Sequence, residues 1–172
     1  MGATAVKPGM SGLLKKLLAK RLKGDLDQPT LPLIVENRAL SPRIVHLVVI
    51  WDAWRRFSNV QRSSVITDAY ALAHPKSPAP AVAMGFTPSE ALSLGYLPFR
   101  VVALMRGSDK VSGAKLKSAL ETAGGVKVRI GDELELRFAT QAQAASAYRS
   151  LQAELPSPVW TLIEERSVSE SA

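Results

Sequence analysis

The stretch RIVHLVVIWDAWRRFSNVQRSSVITDAYALA, Arg43 to Ala73, contains the decisive transition of the chain. Its first part is β-branched and apolar, the composition of a strand. Its last part changes to helical spacing. Ser58 followed by Gln61 is a capping box, in which Ser58 accepts from the backbone N–H near Gln61 and Gln61 reaches back to the cap residue. Val65, Ile66, Ala69, Tyr70 and Ala73 then make one apolar stripe, and the helix must end before the proline-bearing run HPKSPAPA. Alternation along the strand sets Val45, Leu47, Val49 and Trp51 on one face and Ile44, His46, Val48 and Ile50 on the other. Both faces are largely apolar, which places Trp51 in a core. The junction itself has two readings. Trp54 and Phe57 can be a hydrophobic staple for the helix, with Phe57 just before the cap. Alternatively, Arg55, Arg56 and Arg62 meet phosphate or an acidic partner, and Trp54 adds a stacking surface.

Upstream, LPLIVENR (Leu31 to Arg38) has strand composition and is separated from Arg43 by ALSP, so the two segments read as an antiparallel hairpin. Further back, SGLLKKLLAKRLKG offers Ser11 as a cap, Gly24 as a stop, and a face of Leu13, Leu14, Leu17, Leu18 and Leu22. This basic amphipathic helix holds most of the excess charge. Residues 1–24 carry Lys7, Lys15, Lys16, Lys20, Arg21 and Lys23 with no acid, whereas the rest of the chain has sixteen bases against fifteen acids. Basicity therefore belongs to the N-terminal segment. Its leucine face can pack on the body while the lysines stay solvated, or it can meet a partner groove, a nucleic-acid backbone or a membrane surface.

Downstream, TPSEALSLG repeats the helix-start signal with Thr87 and Glu90, places Pro88 at the first helical position, and offers Gly95 as the stop. FRVVALM then reads as a strand, and SGAKLKSALETAGG as a helix with Leu116, Ala119, Leu120 and Ala123 inward. VKVRIGDELELRF reads as a hairpin. A three-residue loop, Gly131 to Glu133, would pair Ile130 with Leu134, Val128 with Leu136 and Val126 with Phe138. Lys127, Arg129, Glu135 and Arg137 would then occupy a solvated face. Thr140 and Gln143 form a third capping box for a helix lined by Ala145, Tyr148, Leu151 and Leu155, and PVWTLIEERS closes with a strand.

The expected fold is α+β, a KH-like α-β-β-α-α-β unit followed by a ferredoxin-like β-α-β-β-α-β unit. The corresponding segments are 1–24 (basic helix), 25–95, 96–166 and a disordered tail at 167–172. Whether FRVVALM instead extends the first sheet into one continuous domain is open, because GYLP is too short for a flexible linker.

The strand from Val48 to Trp54, then Ser58, Val60, Gln61, Arg62 and Val65, followed by AVAMGFTPSEA, resembles the core of the BolA family over about residues 31–92. The resemblance implies a class II KH-like fold and a role in partner binding. BolA proteins share an iron–sulfur cluster with a monothiol glutaredoxin through histidine. Here Ser63 stands where the family has a histidine after the arginine, and none occurs near Ala79 to Ala81, so cluster sharing is not implied for this chain.

Several functions lack their residues. The chain has no cysteine, which removes thiol catalysis and cysteine-ligated metal. Its histidines, His46 and His74, lack the i, i+4 spacing of a metal pair. His46 and Asp52 lie about 20 Å apart along a strand, although Glu36 could sit across the hairpin from His46. HPKSPAPAVAMG contains no G-x-x-G clamp for nucleic acid, and a charged hairpin face cannot stack bases. No window has the apolar length of a membrane span, and no secretory signal is evident, so a cytoplasmic protein is expected. The expected function is a non-catalytic adaptor for a protein partner, with no cofactor or metal. The alternative is nucleic-acid binding without sequence preference, through Lys15, Lys16, Lys20, Arg21 and Lys23 with Trp54, Arg55, Arg56 and Arg62. A membrane surface is not the expected partner.

Overall fold

The protein is described as a computed structural model over residues 9–38, 41, 43–105 and 111–165. Lys7, part of the ALSP turn and the expected 167–172 tail lie outside these residues. The elements run α1 (Met10–Lys23), β1 (Leu33–Asn37), β2 (His46–Ile50), a 3₁₀ turn (Asp52–Arg56), α2 (Asn59–Ala73), β3 (Val82–Phe86) and α3 (Pro88–Ser93). Then come β4 (Phe99–Leu104), α4 (Gly113–Ala123), β5 (Val126–Ile130), β6 (Glu133–Phe138), α5 (Gln141–Glu154) and β7 (Thr161–Glu164). The fold is α+β, with two separate sheets. β4 belongs to the second sheet and does not extend the first. The chain divides into one unit of residues 1–26 and 32–91 and a second of 27–31 and 92–172. The short segment 27–31 thus groups with the second unit rather than with the residues that follow it. No helix among the described residues is long and apolar enough to cross a membrane.

In the first unit β1 and β2 are antiparallel, and β3 joins β2 in parallel. Counting the 3₁₀ turn as a helix, the order up to β3 is the expected α-β-β-α-α-β, and α3 follows it. The strand expected to reach Trp54 stops at Ile50. Beyond it the chain curls because the Trp54 indole Nε1 donates back to the Val49 carbonyl at 3.1 Å and the Phe57 N–H donates to the Trp54 carbonyl. The expected pairing of Glu36 with His46 is also off by one. Glu36 faces Leu47, and His46 faces Asn37, which sends Glu36 and His46 to opposite sheet faces.

Helix starts follow their capping residues. Ser58 and Gln61 form the reciprocal box, as do Thr140 and Gln143, and Thr87 and Glu90 exchange the equivalent bonds. The exception is α1. Gly9, in a left-handed conformation, occupies its cap position, and Ser11 lies inside the helix. In α5 the Gln143 side chain is buried to accept from the backbone N–H groups of Ala139 and Thr140. That inward turn sets the helix rotation. Ala144, Ala147 and Leu151 follow it inward, whereas Ala145 and Tyr148 are only half-buried.

The second unit is an antiparallel sheet in the order β5-β6-β4-β7, the ferredoxin-like arrangement. Its hairpin register differs from expectation. Ile130 pairs with Glu133, Val128 with Glu135 and Val126 with Arg137, around a two-residue turn, Gly131-Asp132. Two glycines account for this. Gly131, at φ +59, supplies the positive φ that a tight turn needs at its first position. Gly125 sits beside Phe138, where an added Cβ would come within 2.6 Å of the aromatic ring. The observed register keeps this glycine, and not Val126, beside Phe138.

The register rearranges both sheet faces. Lys127 and Arg129 pair with Leu136 and Leu134, so they share the helix-covered face with them. Glu135, expected in solvent, is fully buried on the opposite face. There it pairs with Arg100 at 3.0 Å and with Arg137, and Arg137 also reaches Glu165 at 3.0 Å. Arg100 and Arg137 are direct cross-strand neighbours. The carboxylates of Glu135 and Glu165 offset what would otherwise be a repulsive pair.

Gly125→Ala must both occupy φ +73 and push aside Phe138, so it should cost roughly 2–4 kcal/mol. Gly131→Ala has open space around its Cβ position and should cost only about 1–2 kcal/mol. Urea denaturation of the two variants checks the order; a Gly131→Ala cost equal to or above that of Gly125→Ala contradicts the packing account.

Candidate functional site

The candidate residues fall in two places within the first unit, and the structure treats them differently. At the 3₁₀ corner, Trp54 is fully buried and stands edge-on to both Trp51 and Phe57, with ring centroids 5.4 and 5.8 Å away. It cannot serve as a stacking surface; its ring is used in internal packing. Arg62 is also withdrawn. Its Nε donates to the Phe57 carbonyl at 2.9 Å, its Nη1 to the Gly85 carbonyl at 3.1 Å, and its guanidinium grips both Glu90 oxygens at 2.5 and 3.3 Å. One side chain thereby ties the end of the 3₁₀ turn, β3 and α3 together. Gly85 makes room for it, since a Cβ there would lie 2.9 Å from the Arg62 Cβ and 3.0 Å from the Trp54 indole nitrogen. Arg55 and Arg56 alone of the corner cations remain exposed.

The Arg62 guanidinium holds the Glu90 carboxyl below its usual range, while partial burial works the other way and the Thr87 N–H assists. Glu90 is 43% exposed in its side chain, so solvent screens much of this pairing. Two buried backbone carbonyls have no such screen, and for them Arg62 supplies the donors.

The second place is α1. It packs against α2, and both helices bury alanines, Ala19 on one and Ala69 and Ala73 on the other, which allow close approach. At about 100° per residue the buried arc runs through Leu14, Leu18, Leu22 and Ala19. Leu13 and Leu17, expected on the packed face, lie on the other side and are 58% and 48% exposed. A five-leucine face is too wide for one neighbour to cover. The outward arc therefore reads Leu13, Lys16, Leu17, Lys20, with Lys23 exposed at its border. Lys15 and Arg21 are half-buried. Burial lowers the Arg21 pKa from its ordinary value, with Asp25 opposing the shift.

Sequence reasoning missed the pairing of Arg62 with Glu90 and the outward leucines. A signal for Arg62 was available: it precedes Val65, Ile66 and Ala69 by three, four and seven residues and so lies on the buried stripe itself. The histidines sit on different elements: His46 lies in β2, and His74 caps the end of α2 against the Tyr70 ring at 4.8 Å. Among the described residues no group of three histidine, aspartate or glutamate side chains could hold a metal ion. In comparisons with known proteins, no family model, curated protein or solved structure matches the chain.

Because the Glu90 carboxyl is held low, its pairing should stabilise the fold fully above the unfolded carboxyl value of about 4.3 and be lost as pH falls through the depressed folded value. Glu90→Gln removes this dependence. Thermal melts from pH 7 to pH 3 should show the parent more stable at neutral pH and the difference shrinking in acid. A constant difference across that range contradicts the ion pair.

Proposed function

We propose that the protein is a non-catalytic cytoplasmic adaptor that presents the outer face of α1 to an acidic protein partner. The observation that carries this reading is the interleaving of Leu13 and Leu17 with Lys16 and Lys20 on one exposed arc, while the leucines behind them anchor the helix to α2. A phosphate backbone would engage the lysines and leave both leucines in water. A protein groove with an apolar floor and an acidic rim matches both kinds of residue, as in helix-in-groove recognition. Burying the exposed half of the two leucines would contribute about 1.5–3 kcal/mol before association costs.

The BolA-like core supports partner binding as the general role. Its helix position corresponding to the family's histidine is Ser63, whose hydroxyl donates to the Ala83 carbonyl at 2.6 Å. We accordingly place the interaction on α1 and not on the segment where that family holds its cluster. Nucleic-acid binding is the weaker reading, because Trp54 and Arg62 are buried and only Arg55 and Arg56 remain to assist the lysines.

A photo-reactive benzoylphenylalanine in place of Leu17 in the full chain, compared with the same group in place of the exposed Leu72 on α2, tests this in cells. We expect a discrete protein adduct specific to the Leu17 position, with acidic residues around the crosslinked site, and its loss in Lys16→Glu/Lys20→Glu. Adducts to nucleic acid, or identical adducts from both positions, would contradict the proposal.

A further inference from the structure

The hairpin register brings Lys127 to a second place with its own chemistry. Within the second unit, residues 27–31 run as a strap, held where the Pro29 carbonyl accepts from the Gly125 N–H at 2.7 Å. The approach is tight, since a Cβ on Gly124 would fall 2.4 Å from that carbonyl oxygen. Between the strap, the last turns of α4, and β5 and β6 lies a pocket of about 410 Å³. That volume is within the range of small-molecule sites.

Leu31, Leu120 and Leu136 give the pocket an apolar lining, and Lys117, Glu121 and Lys127 stand among its polar lining residues. Lys127 and Leu136 are cross-strand partners and therefore project to the same face. Lys117 lies 3.9 Å from Glu121, with both side chains largely exposed, a pairing that holds neither strongly. Lys127 has no carboxylate within ion-pair distance among the described residues. Two ammonium groups against one carboxylate favour an anion. The carbonyl end of α4 and Glu121 repel it from the helix wall, which directs its head to the Lys127 side.

We infer that this pocket binds a small amphipathic carboxylate, its head on Lys127 and its hydrocarbon body on the three leucines. The chemistry gives a use to Lys127, which stands exposed at the rim of this apolar lining. It is separate from the α1 surface and does not depend on it.

Octanoate titrated into the full chain, followed by amide chemical shifts, tests the assignment. Saturable binding is expected, with the largest shifts at Leu31, Gly124 and Lys127. Lys127→Met should weaken it about tenfold, as expected for one charge-assisted hydrogen bond, and Thr30→Trp should block the pocket. Octylammonium, with the same tail and the opposite charge, should bind at least about tenfold more weakly. Lys127 is exposed, so its variant keeps the test usable if Thr30→Trp fails to fold. The inference is overturned by the absence of saturable octanoate binding up to about 10 mM, by unchanged affinity in Lys127→Met, or by equal affinity for octylammonium. Complete competition by inorganic phosphate at equal concentration would also overturn it, because the leucines would then contribute nothing.

Discussion

The contact between Arg62 and the Gly85 carbonyl is the constraint around which the first unit is organised. It needs a strand residue without a side chain, a helix that begins at Ser58, and a 3₁₀ turn that delivers the Phe57 carbonyl to the same guanidinium. Glu90 then completes the set and fixes the start of α3 through Thr87. A buried arginine without its carbonyl acceptors, or carbonyls left without the arginine, would each cost more than the screened ion pair alone contributes. The functional consequence is one of availability. The corner uses Trp54 and Arg62 to hold itself together, whereas Leu13, Lys16, Leu17 and Lys20 of α1 stand exposed.

A similar economy of fit governs the second unit. Gly125 packs without a side chain beside Phe138, and with the tight turn at Gly131 it accompanies the observed register of the hairpin. The consequences propagate by strict alternation. Val126, Val128 and Ile130 turn to the open face beside Glu135, while Lys127 turns toward the helices and reaches the pocket under the strap. Glu135 is tolerated in its buried position because arginines from two strands converge on it.

Much of the secondary structure was legible, because its signals are local. Ser58 with Gln61, Thr87 with Glu90 and Thr140 with Gln143 mark helix starts within four residues, and the stripe Val65, Ile66, Ala69, Tyr70 and Ala73 identifies its own buried face. Even so, a single contact was enough to end β2 early, since Trp54 folds back on Val49. The hairpin register was not legible, because hydrophobic matching favoured Val126 opposite Phe138, and the packing of Gly125 on that ring is visible only in three dimensions. The candidate site was legible in part. The helical spacing of the leucines marked α1 as a helix, but five leucines on one helix do not reveal which two a neighbour fails to cover. At the corner, composition left a packed staple and a binding surface both open, whereas the helical spacing of Arg62 already placed it on the buried stripe.

Arg62 is internal structure at this corner, whereas Arg55 and Arg56 stand in solvent. Urea unfolding of Arg62→Ala beside the double variant Arg55→Ala/Arg56→Ala tests it most directly. Loss of the donors to two buried carbonyls should cost Arg62→Ala roughly 2–4 kcal/mol, while the exposed pair should stay within about 0.5 kcal/mol of the parent. An Arg62→Ala variant as stable as the parent, or a double variant that is destabilised as much, would contradict the account.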